Sequence, residues 1–504
     1  MRKLWSVILM LALSGATFAE ELKRPEVTAI RLPDGAITID GFDCDWQAAG
    51  DALARCRASS ADKANISSAA PQRGDWTGPD DCSLAVWLAT DSQHFYILGD
   101  VRDQLLTNTS SVAMPFFGDD FEIFIDASPA ESRFAQTKSE NFRQLIFVPA
   151  YINPEWPQAL IWESGANPGV AAASRLRPWG YTIEIKVPKA LFPNWKQNPN
   201  MDSIGFDVMI ADADAPGVDA VHPAIKCALH LLQPGSHFMC PARLSLAKLE
   251  TQPVQLADVQ QAAPPAADLL VEALKAATPE TAAALAQQAL DYLPTDQAGK
   301  VADAAFVCTQ KSVQRAGLFI YAQRPQLPAP LPALVAMLEP GQSNYGSFTD
   351  HDLRQYAMIA LARRGKLPTD KFFGFYTRVE ASPVRLTYVW SLGANANRGI
   401  VPELCKLLYD GNLRVRMMAA LALGALGDPA AIPPLQEMAA NDPHHYGQNQ
   451  ASLAIKQLQK LGTVTTLFGT KIASVFPFSN RFFRHRASLP QTGMKICTIF
   501  PKIH

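Results

Sequence analysis

The hydrophobic period of this chain changes once. Up to about Leu249 the apolar residues recur at every second position; beyond about Asp268 they recur every three to four. Between the two lies a stretch rich in Gln, Ala and Pro. A period of two builds strands with unlike faces, and a period of 3.6 builds helices with an apolar stripe. A chain of 504 residues patterned in this way has room for two or three domains. The division predicted is a β-sandwich over 27–249, a linker over 250–267 that is semi-stiff where its prolines cluster, and an all-α domain over 268–462.

Within the first region the run 118–126 is central. Phe121, Ile123 and Ile125 alternate with Glu122, Phe124 and Asp126, so one face is apolar and the other carries carboxylates. Periodicity alone leaves two readings of Glu122: pointing into solvent, or held in the sheet for a function. Three other alternating runs are expected to pair with this strand: 85–101 through the polar turn Thr90-Asp91-Ser92-Gln93, 181–187, and 206–210. A further strand is predicted at 144–148 and a last one at 242–246. Short strands and polar turns predict an antiparallel β-sandwich.

Residues 1–19 have the form of a signal peptide. Arg2 and Lys3 precede an apolar core over 4–13, and Ala16-Thr17-Phe18-Ala19 supplies a small-x-small cleavage pattern. The apolar run is too short for a stable membrane span, so the mature protein is expected to be secreted or periplasmic. A net charge of −2 offers no basic surface for nucleic acid or anionic lipid. Eight cysteines in an exported chain permit disulfides, and Cys227 and Cys240, which flank the Pro234-Gly235 turn, are the predicted pair. No zinc spacing, Gly-x-Ser-x-Gly or His-Glu-x-x-His motif is present, and no carboxylate pair stands out for glycosidase chemistry. The expectation is a protein that is not an enzyme.

Four segments then occur in a telling order. Ile39-Asp40-Gly41 with Asp45-Trp46 comes first, followed by Glu122-Ile123-Phe124-Ile125-Asp126. Next are Gly180-Tyr181-Thr182-Ile183-Glu184-Ile185-Lys186-Val187-Pro188 and Ile204-Gly205-Phe206-Asp207-Val208, the latter leading into Asp212-Ala213-Asp214. Together they resemble family 9 carbohydrate-binding modules and their DOMON-like relatives. The resemblance implies a jelly-roll-like sandwich, often calcium-stabilised, that binds sugar-chain ends in its founding members. It places Phe116, with Phe117 beside it, where the first stacking tryptophan belongs. It also makes Glu122 a sugar-hydroxyl acceptor and Gln144 a second polar contact. Ile146 stands where an arginine is expected, 216–222 holds no arginine, and only His230, His237 or Phe238 can replace the second stacking wall. Asp119, Asp120, Asp212 and Asp214 suit a calcium ion or, alternatively, cap turns through their own backbone.

In the second region helices are expected at 268–277, 279–290, 301–318, 331–338, 352–363 and 383–392. The clearest unit is 400–408, 413–426 and 429–440, in which small residues allow close approach, Gly427 stops one helix and Asp428-Pro429 starts the next. It resembles a HEAT-type repeat of the PBS-lyase-like kind, with weaker copies before and after it over 352–462. For 268–342 a solenoid and an irregular bundle remain equal alternatives. The segment 463–504 has no acidic residue and is expected to be disordered. The function expected is glycan binding by the sandwich and protein binding by the repeats. The alternatives are an assembly protein whose sandwich has lost its sugar, or an accessory part of a polysaccharide-degrading system.

Overall fold

In this computed structural model the residues described are 24–41, 43–61, 66–67, 76–79, 81–103, 119–149, 160–161, 169–177, 180–212, 227–232, 241–257, 266–339, 348–377 and 382–467. The signal segment 1–19, Phe116, Phe117, Asp214, His237, Phe238 and Cys240 lie outside them, as do the Cys227 side chain and all but the first five residues of the 463–504 tail.

The N-terminal domain is a sandwich of strands β1 (Glu26–Arg31), β2 (Arg57–Ser60), β3 (Ile66–Ser67), β4 (Cys82–Thr90), β5 (His94–Asp103), β6 (Asp120–Asp126), β7 (Phe142–Phe147), β8 (Leu160–Ile161), β9 (Ala171–Arg177), β10 (Gly180–Pro188), β11 (Ser203–Asp212), β12 (Cys227–His230) and β13 (Ser245–Pro253). One layer runs β8-β7-β6-β11-β13, the other β4-β5-β10-β9, and β1 joins them. All pairings are antiparallel except those of β1, which runs parallel to both β13 and β4. Of the runs expected beside β6, only β11 pairs with it. Strands β5 and β10 pair with each other in the opposite layer and cover the apolar face of β6. Alternation sets which face is buried, but it does not choose the neighbour.

Phe121, Ile123 and Ile125 are fully buried between the layers against Ile97, Ile183 and Ile185. The predicted last strand is displaced: Pro241–Arg243 form a 3-10 turn, and β13 continues to Pro253, into the stretch read as linker. Backbone bonds from Val254 to Arg31 (2.8 Å) and from Ala257 to Ala48 (2.7 Å) hold the start of that stretch on the sandwich.

The C-terminal domain is built from helices α1 (Ala267–Leu274), α2 (Pro279–Tyr292), α3 (Thr295–Phe306), α4 (Lys311–Gln323), α5 (Leu331–Met337), α6 (Phe348–Ala362), α7 (Thr369–Tyr376), α8 (Ser382–Ala394), α9 (Val401–Leu407), α10 (Leu413–Leu426), α11 (Ile432–Asn441) and α12 (His445–Leu467). The even-numbered helices pack in one continuous row, and α3, α5, α7, α9 and α11 each lie against the helix that follows. The stack continues through the described residues 268–339, so the solenoid alternative holds for them. The single helix expected over 301–318 is two, broken at residues 307–310.

Repeated contacts mark the repeat. Arg385 at the start of α8 pairs with Asp410, and Arg416 in the first turn of α10 makes a bidentate pair with Asp442 (2.7 and 3.0 Å). Gly427 ends α10 at φ 68°, a conformation that a side chain disfavours. Where α8 meets α10, a Cβ on Gly393 would stand 2.8 Å from Ala422 Cα, so these helices approach at backbone distance. The domains also meet: Arg175 on β9 forms a two-bond ion pair with Asp291 of α2.

Candidate functional site

Both layers carry a buried glutamate on the face turned away from the shared core, and the two sit in unlike surroundings. On β10, Glu184 accepts hydrogen bonds from the Asp40 amide (3.0 Å), the Gly41 amide (2.7 Å) and the Trp46 indole (3.0 Å). The first and third of the resembling segments therefore form one structural joint. Gly41 makes it possible: it sits at φ 84°, and a Cβ there would meet the Ser174 carbonyl carbon at 3.3 Å. Burial pushes the Glu184 carboxyl up to about 8, outweighing the three donors that favour the charged form.

On β6, Glu122 is 4% exposed, which overturns the solvent-facing reading. Its cross-strand neighbours are Met209 on β11 and Ile146 on β7. Neither side chain can donate a hydrogen bond. Gln144 Nε2 donates to Glu122 Oε2 at 2.7 Å, so the structure brings together these two sequence-predicted contacts. Gln144 is 7% exposed, and its Oε1 has no hydrogen-bond partner. Because the amide nitrogen must face the carboxylate, the free end of this side chain is an acceptor.

Asp120, two residues earlier on the same face, was read from sequence only as a calcium or capping residue. It accepts from the Ala211 amide through Oδ1 (3.3 Å), while Oδ2 is buried without a partner. Burial first, then the charge of Glu122, raises its carboxyl well above the ordinary range. His230 of β12 lies opposite Met209 and is fully buried, so it offers no exposed stacking wall. Asp207 accepts from the Val208 and Leu232 amides (2.8 and 3.3 Å) and helps to hold the end of β12. Among the described residues no group of three or more His, Cys, Asp or Glu side chains could hold a metal ion. Nor does any described helix have the length and apolarity to cross a membrane.

The helical domain approaches the same end of β6. Arg414 in the first turn of α10 is buried; burial lowers its guanidinium to about 10, and the charge of Asp119 acts against that shift. Sequence patterning held no sign of this proximity, because the two residues are almost three hundred positions apart.

Comparison with known proteins matches both halves. Residues 59–223 match the carbohydrate family 9 binding domain-like family, and residues 378–456 match HEAT repeats. Two solved structures are similar to the first half, both of a family 9 carbohydrate-binding module from Caldicellulosiruptor kristjanssonii. The one in complex with glucose is 16% identical, over 45% of this chain and 97% of that one, with a TM-score of 0.32. The one in complex with cellotriose is 17% identical, over 44% and 94%, with a TM-score of 0.30. No curated protein matches the chain. The protein carries a family 9 carbohydrate-binding-like domain followed by HEAT repeats.

Proposed function

We propose that this protein binds a carbohydrate on the β6–β7 face of its sandwich while its HEAT repeats engage a protein partner, and that it does so outside the cytoplasm without catalysing a reaction. The observation that carries the reading is the buried Glu122–Gln144 pair with an acceptor left over, inside a domain that matches a carbohydrate-binding family. Sugar recognition requires such preplaced polar atoms, because ring hydroxyls must exchange water for equally good partners. Phe116 and Phe117 remain the candidate stacking platform of this reading. Secretion or periplasmic residence rests on the signal-like segment 1–19.

The test is a glycan array followed by calorimetric titration of the full chain. Glu122→Gln removes a charge-assisted hydrogen bond worth about 1.5–3 kcal/mol, so affinity falls about tenfold or more. Parental affinity in that variant moves the site elsewhere. A second reading, an assembly protein whose sandwich no longer binds sugar, is favoured by the near-complete burial of Glu122 and Gln144. Under it no glycan binds, and Glu122→Gln changes stability alone.

A further inference from the structure

In a stack of helix pairs, each helix of a row touches its two neighbours and the paired helices behind it, and its last side meets solvent or a partner. The outer helices keep such an open side: α7, α9 and α11 expose Lys371, Lys406 and Glu437. The inner row does not. Over 312–323 of α4, 353–362 of α6, 384–394 of α8 and the whole of α10, no side chain is exposed. A helix buried all round requires cover on every side. On α10 those sides can be assigned, because successive residues turn by about 100°. Ala422 meets Gly393 of α8, and Gly424 meets Ala454 of α12, about 160° round from it. Arg416 points back to the turn after α9, donating to the Asp410 and Gly411 carbonyls (2.9 and 3.3 Å). The side left over carries Arg414, Met418, Leu421 and Ala425. Arg414 is 3% exposed, Met418 and Ala425 are buried, and Leu421 is half-buried, so this side too is covered.

We propose that the inner row of the solenoid is the docking surface for the sandwich of the same chain, so that the repeats cradle their own β-domain and leave the outer row to a protein partner. The proposal rests on the contacts between the domains and not on sugar binding; it narrows where a partner can sit. Two contacts mark the ends of the docked surface. On α2, Asp291 pairs with Arg175 of β9 through two hydrogen bonds. On α10, Arg414 lies close enough to Asp119, beside the start of β6, to feel its charge. Four helix-to-helix steps of 8–10 Å separate α2 from α10, about 35 Å along the row. Strands β9 and β6 belong to different layers of the sandwich. A single body reaching both ends therefore spans the row between them. Between the two ends the contact is apolar: one buried cluster includes Ile123 and Phe206 of the sandwich with Ala419 and Leu423 of α10, and Leu421 packs against it.

The experiment cuts the folded full chain at a protease recognition sequence inserted between 257 and 266, then measures mass by size-exclusion chromatography with light scattering. The cut parent is expected to travel as one species with the mass of the intact chain at micromolar concentration. Leu421→Arg places a charge in the covered side and should release the two halves. Asp291→Arg sets like charges against each other and should weaken their association about tenfold or more on dilution. Adding Arg175→Asp to Asp291→Arg should restore it, a recovery that a misfolded solenoid cannot imitate. If Leu421→Arg does not fold, this charge exchange carries the test. Separation of the halves in the cut parent overturns the proposal. So does association that neither Leu421→Arg nor Asp291→Arg weakens, since the contact then lies elsewhere. A cut chain of twice the intact mass that falls apart with Leu421→Arg assigns the row to a second copy and overturns it as well.

Discussion

Glu184 and Glu122 are the same side chain at corresponding places, buried on the outward faces of opposing layers, and they are treated differently. Glu184 is answered by two backbone amides and an indole. Beside Glu122, the Gln144 amide donates to the carboxylate, while Gln144 Oε1 and Asp120 Oδ2 are buried without a hydrogen-bond partner. A carboxylate surrounded by converging donors ties the chain together. One set beside buried acceptors without partners gives up stability, and departures of that kind from local rules are found at functional sites.

The largest effect expected from this contrast is on stability. Glu184→Ala strands two buried donors, the Gly41 amide and the Trp46 indole, at about 1–3 kcal/mol each, and a part-buried one, the Asp40 amide, a loss of about 2–6 kcal/mol in urea unfolding followed by circular dichroism. A loss below about 1 kcal/mol would remove the distinction between the two sites.

Arg416 extends the comparison to the helical domain, where Asp442 answers a buried charge as fully as the amides answer Glu184. Arg416→Ala leaves Asp442 uncompensated and should cost about 3–5 kcal/mol. Hydrogen exchange should localise the damage to α10–α12.

pH offers a graded test. The folded-state carboxyl of Glu184 is raised from 4.5 to about 8, so folding favours its protonated form. Its stabilising contribution is complete below about pH 4.5 and is lost as pH rises toward about 8, with a slope of at most about 1.4 kcal/mol per unit. Asp120 and Asp43, also raised by burial, add to the same sign. Glu184→Gln should make the decline shallower, as measured by melting temperature across that window. An unchanged slope would mean that other groups carry it.

The smallest stability effect belongs to the open site. Gln144→Leu removes a lone acceptor but also the amide that donates to the buried Glu122 carboxylate, so stability should fall by about 1–3 kcal/mol. Glycan affinity, measured on the same protein, should fall about tenfold. Stability lost without affinity would make Gln144 a counterpart of Glu184.

Much of this architecture was legible in the residues. The change of period separated sheet from helix, and Leu413–Leu426 was bounded correctly because Gly427 and Asp428-Pro429 are local signals. The turn at Asp91 was equally local, its carboxylate accepting from the Gln93 and His94 amides (2.6 Å each). Strand β9 was missed because Ala171-Ala172-Ala173-Ser174 carries no alternation, and only its pairing with β10 makes it a strand. Strand β1 was missed because its place is fixed by parallel partners far along the chain.

The same division holds at the site. Alternation put Glu122 and Phe121 on opposite faces, and the resemblance to family 9 modules gave the expectation that Glu122 and Gln144 share one polar site. They could not determine that Glu122 is buried, that Asp120 and Gln144 each keep an acceptor without a partner, or that Asp40, Gly41 and Trp46 close upon Glu184. Those facts depend on which strands become neighbours and on what lies over them. A hydrophobic period is a property of a dozen consecutive residues. The state of a buried polar atom is decided by atoms contributed from across the whole fold.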